Sequence, residues 1–169
     1  MNIRDALLAE HSKSQTMKIV RYIDGDAVRF KELMDYFLGD NYRLSQRAAW
    51  AVNYCAEYRN ESVKPYFGKL AEQFERTDVH PAVLRNVARM LQFVDIPKRF
   101  HGRVFDSCYK LVDDAGQSLA VRVFALTVAA RIANGEPVLL DELRLLAEKH
   151  APHTTIAFRV RARRVLGVK

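Results

Sequence analysis

Chemistry is sparse in this sequence, and the residues that could carry it are quickly weighed. His150 and His153 have the i, i+3 spacing that can put two imidazoles on one helix face, but a zinc site needs two more ligands, and Pro152 stands between them. They read as turn residues. Adjacent carboxylates at Asp113-Asp114 and Asp141-Glu142 could in principle divide acid and base roles, yet neighbouring acids at a helix terminus already answer to the helix dipole. Cys55 and Cys108 lie far apart in apolar helical patterns without C-x-x-C spacing, so buried, reduced thiols are expected rather than a disulfide or a metal site. No phosphate-cradling glycine loop, nucleophile elbow or H-E-x-x-H is present. No catalytic residue, metal site or cofactor is therefore expected.

What remains is chemistry of contact. Trp50 is the single tryptophan, with Tyr54 at i+4, and such rings serve as anchors in binding surfaces as readily as they fill cores. Arg89 and Arg163 are 74 residues apart, and with Phe93 and Arg164 they complete a predicted binding set of Trp50, Arg89, Phe93, Arg163 and Arg164. Arg159, Arg161, Arg163 and Arg164 make the last helix basic, and Arg99, Arg103 and Lys110 form a separate stripe. Residues 1–84 hold 12 Lys/Arg against 12 Asp/Glu, and residues 85–169 hold 15 against 8, so the net charge of +7 belongs to the C-terminal half. Such asymmetry speaks to association with acidic partners or phosphates, and not to fold.

The elements that must position these residues are helices. Apolar residues recur at three and four, as in Phe30, Leu33, Met34 and Phe37, then Phe67, Leu70, Ala71 and Phe74, then Val104, Cys108, Leu111 and Val112. Pro65, Pro81, Pro97, Pro137 and Pro152 each stand at or just before a helix start, while Gly116 and Asn134-Gly135 supply stops. The pattern predicts helices over 3–10, 13–23, 26–38, 43–58, 63–76, 81–94, 98–112, 118–133, 137–149 and 154–166.

A period decides how they associate. Ala51, Ala88, Ala125 and Ala162 are separated by 37 residues each time, and Phe30, Phe67 and Val104 keep the same step, as do Met34, Ala71, Cys108 and Leu145. Small residues at one recurring position let neighbouring helices approach closely. Arg85, Arg122 and Arg159 precede their alanines by three residues, Arg47 comes one residue early, and Asp40, Asp78 and Asp114 stand in the turns, where each could cap a helix and face an arginine.

This turn Asp, then Arg-x-x-Ala, then a large apolar residue resembles the HEAT repeat family over residues 26–166. The resemblance implies an all-α, right-handed α-α superhelix of about four helix pairs behind a lead-in over 1–25, forming one domain over 1–169. It implies a protein or peptide held on a concave surface lined by second helices, without turnover. A second resemblance, to the HEAT-like DNA alkylation-repair glycosylases, implies DNA bound through the basic C-terminal half. No segment reaches the roughly 18 apolar residues of a membrane span, and Arg4, Asp5 and Glu10 occupy the start where a signal peptide is apolar, so a cytoplasmic location and no membrane partner are expected.

Overall fold

The computed structural model describes residues 1–76 and 79–167, the side chain of Asn60 apart. Among these residues the chain is all helix and connection: α1 (Ile3–Ala9), α2 (Lys13–Ile23), α3 (Ala27–Leu38), α4 (Tyr42–Tyr58), α5 (Phe67–Glu75), α6 (Pro81–Met90), α7 (His101–Asp113), α8 (Leu119–Ile132), α9 (Pro137–His150) and α10 (Ile156–Leu166). Short 3₁₀ stretches lead into α5, α7 and α10. The predicted helices and observed ones agree in number and order. Their main difference is that the helix expected over 63–76 starts as 3₁₀ turns around Pro65, which withholds an N–H from the α ladder.

Two compact units are formed, Met1–Asp95 and Ile96–Lys169. In the first, α4 packs against α1, α2, α3 and α6, and α6 packs against α5. Its core is aromatic and aliphatic, with Phe30, Phe37, Phe67, Leu33, Met34 and Leu70 all buried. In the second, α8 packs against α7, α9 and α10. Nine residues of α8 are buried, on every side of the helix, which is why it is rich in Ala and Val with no polar stripe.

Side chains that cap the helices are mostly those the local sequence offers. Asn2, Ser12, Asp26, Asn41, Ser118 and Thr155 each accept a backbone N–H two or three residues on. The turn acids do not do this for the second helices: Asn41 and Ser118 cap α4 and α8, while Asp114 accepts from Gly116 N–H at 2.8 Å in a turn of its own. Asn41 and Ser118 stand at the N-cap position itself, from which a side-chain oxygen reaches the N–H groups, whereas the acids lie one and four residues upstream of it. The expectation for Asp78 lies outside the described residues.

The 37-residue column of Ala51, Ala88, Ala125 and Ala162 is buried throughout, and so are Phe30, Phe67 and Val104. The first-helix register breaks at its fourth member. Met34, Ala71 and Cys108 are buried, but Leu145 is 67% exposed, and α9 turns Leu143, Leu146 and Ala147 inward instead. α9 therefore enters its layer out of step with the period that α10 keeps.

The arginine column holds in three places and fails in one. Arg47 Nη1 donates to the carbonyls of Leu7 and Leu8 at 2.8 Å each, satisfying orphan acceptors at the end of α1. Arg122, only 6% exposed, donates from Nε to Val112 O at 3.0 Å and lies 5.0 Å from the Phe158 ring. Burial draws its guanidinium below the ordinary range, against the pull of Asp114 and Asp113. Arg159 donates to Ala151 O at 3.3 Å, but Arg85 is exposed, because α6 turns that position to solvent.

Candidate functional site

Three residues of the predicted binding set belong to the first unit and two to the second. Among the described residues, none of the five side chains bonds to another. Trp50 lies midway along α4 with 36% of its surface exposed, and its ring stacks on His11 at 4.8 Å between centroids. α4 buries Ala48, Ala49, Ala51 and Val52 around it, so the indole stands on the face that the core does not use.

Tyr54 and Tyr58 continue that face at i+4 and i+8, their rings 6.4 Å apart and nearly parallel. Tyr54 is half-buried and Tyr58 is 65% exposed. The three rings form an aromatic ridge along one regular helix. On α6, the neighbour of α4, Arg89 is half-buried, and Phe93 follows the helix end with 42% exposure between buried Leu91 and Val94. These two positions present a cation on α6 and a ring in the turn just after it, in the same unit.

Below the ridge's end, the structure holds a cavity of about 280 Å³ that the sequence did not single out. Met17, Val20, Ile23, Phe30, Cys55 and Tyr58 make its apolar wall, and Arg21, Asp24, Gly25, Arg59 and Ser62 its rim. Met17 and Val20 are half-buried beside the buried Thr16, Ile19 and Ile23, so the apolar arc of α2 is wider than packing on the core requires. That excess width was the available signal.

The rim is built by local backbone geometry. Asp24 ends α2 in the left-handed region at φ 35°, and Gly25 follows at φ 78°. The positive φ favours glycine at position 25, and the Arg59 guanidinium lies across it, its Nη1 within 2.8 Å of where a Cβ would stand. Arg59 pairs with Asp24 at 3.2 Å, tying the end of α4 to the end of α2. Burial pushes the Cys55 thiol up to about 12, which leaves it a wall and not a nucleophile. Cys108 is buried and free as well, its thiol pushed up by the same desolvation.

In the second unit Arg163 and Arg164 are exposed in the last turn of α10, where cations complement the dipole. A wider cleft of about 490 Å³ is lined by Thr127, Arg131, Asn134, Arg144 and Leu166. Its polar groups are engaged: Arg144 donates to Leu166 O at 3.0 Å and pairs with Asp141 at 2.7 Å, and Thr127 Oγ1 accepts from Arg161, outside the lining, at 2.8 Å.

The paired histidines are separated by what they touch. His150 Nε2 lies 2.9 Å from Asp113 Oδ1, which also accepts from Lys149 Nζ at 2.7 Å, while His153 is exposed. Asp113 closes α7, where the dipole disfavours an acid, and Lys149 and then His150 hold its carboxyl below the usual range. Among the described residues no group of three or more His, Cys, Asp or Glu could hold a metal ion. No helix there is long and apolar enough to cross a membrane.

Comparison with known proteins adds one finding. No curated protein and no solved structure matches the chain. A family model described as a HEAT repeat domain matches residues 3–168, nearly the full length. With its paired helices and the buried alanine column at a constant step, the chain belongs to the HEAT repeat family.

Proposed function

We propose that the chain is a non-enzymatic scaffold that binds a protein or peptide on the exposed faces of its second helices, with Trp50 as an anchor. The observation that carries this reading is the aromatic ridge of Trp50, Tyr54 and Tyr58 on α4, with Trp50 36% and Tyr58 65% exposed on a helix whose other faces are packed. Large rigid rings on a fixed backbone lose little entropy on binding, which suits them to be hot spots. Arg89 on α6 and Phe93 in the turn after it extend the surface, and Arg163 and Arg164 steer acidic partners toward the second unit.

A photocrosslinking amino acid in place of Tyr54 tests this. The expected result is a discrete protein adduct that disappears with Trp50→Ala. Adducts with nucleic acid instead, with affinity falling steeply in salt and flattened by reversing Arg161, Arg163 and Arg164, would favour the second reading, a DNA-binding protein. The specific observation on that side is charge: residues 96–169 hold 13 Lys/Arg against 7 Asp/Glu.

A further inference from the structure

The cavity beside the ridge has a shape and a charge that together specify an occupant. Its volume of about 280 Å³ has room for one large apolar side chain. Ile23 and Phe30 floor it, Met17, Val20 and Cys55 wall it, and nothing on those walls asks for a hydrogen bond. Polarity is confined to the rim.

At that rim the charges are unequal. Arg59 is already paired with Asp24. Arg21 is exposed and bonds to no other side chain among the described residues. It belongs to a helix, Lys13–Ile23, that carries Lys13, Lys18 and Arg21 and no acid at all. An apolar hole with an unpaired Arg21 at its rim, on a helix that carries cations and no acid, complements an apolar residue flanked by carboxylates. Tyr58 joins the two surfaces, since it lines the cavity and its ring lies beside that of Tyr54 on the ridge.

We propose that this cavity is the anchor pocket for an apolar side chain of a protein partner, Leu, Phe or Met, within a segment rich in Asp and Glu that pairs with Arg21. The proposal rests on the reading of the chain as a protein-binding scaffold and names the chemistry of its partner. The ridge gives area, the pocket gives register, and the α2 cations select an acidic flank over a basic one.

Short acetylated peptides titrated into the ¹⁵N-labelled full chain make the test. One set carries Leu, Phe or Met between acids, a second replaces the acids by Lys, and a third replaces the anchor by Ala. The acidic, anchored set should move the amides of Met17, Val20 and Tyr58, and the other two should not. Arg21→Glu, an exposed substitution that leaves the core untouched, should weaken binding at least about threefold, as an exposed charge pair allows. Val20→Trp should close the hole and abolish the shifts. Equal binding of the lysine set, or no shift with any anchored acidic peptide at millimolar concentration, overturns the pocket. If adducts at Tyr54 still depend on Trp50 while Arg21→Glu and Val20→Trp leave them unchanged, the pocket falls and the scaffold stands. If those adducts are absent, the scaffold reading itself has failed.

Discussion

Arg122 shows how a single position can be structural without being comfortable. Its Nε bonds to Val112 O and its guanidinium rests against Phe158, yet its Nη2 is buried with no partner among the described residues. Cutting the side chain back removes a hydrogen bond and strands the Val112 carbonyl, so Arg122→Ala should lower stability by about 1–3 kcal/mol. Methionine keeps the packed stem and discards the unsatisfied nitrogen, so Arg122→Met should cost clearly less. Denaturant midpoints of the two variants decide it, and equal losses would mean that packing contributes nothing. The Arg-x-x-Ala spacing made Arg122 and Arg159 legible as ladder residues. It misled at Arg85, because a one-letter column does not encode how far each helix is rotated about its axis. Rarity singled out Trp50 as a candidate, whereas Met17 and Val20 show in sequence only as extra width in the apolar arc of α2.

At the level of elements, α9 is the instructive case. Its apolar residues satisfy two registers, one containing Leu145 and one containing Leu143, Leu146 and Ala147. The period favours the first and the structure adopts the second, since three inward apolar contacts outweigh one. Leu143→Ala should therefore cost about 2–5 kcal/mol, as cavity formation at a fully buried leucine does, and Leu145→Ala less than about 0.5 kcal/mol. Reversed thermal shifts would restore the strict 37-residue step. Helix ends were better legible than helix rotation, because Pro, Asn, Ser and Gly act through the local backbone and need no knowledge of a neighbour. Which face a helix buries is settled by the elements around it.

For the whole molecule, two cores make a local response expected. Repeat proteins are held by interactions between neighbours, so a lesion is felt most where it is made. In hydrogen exchange, Leu143→Ala should speed the amides of α7, α8 and α9 while those of α3 and α4 keep their protection. Uniform acceleration through both units would show one cooperative body instead. The all-helical class and repeat family were legible because a constant step survives in the alanines. The boundary between Asp95 and Ile96 was not, because the alanine step runs across it unbroken from Ala88 to Ala125. The lone indole has a practical consequence. Trp50 is the only tryptophan in 169 residues, it sits in the first unit, and it is stacked on an imidazole. Tryptophan emission is thus an optical channel private to one half of the chain. Melting of α7 to α10 alone would pass dark in fluorescence, and any guest that lifts His11 from the ring would announce itself in colour and lifetime without a dye.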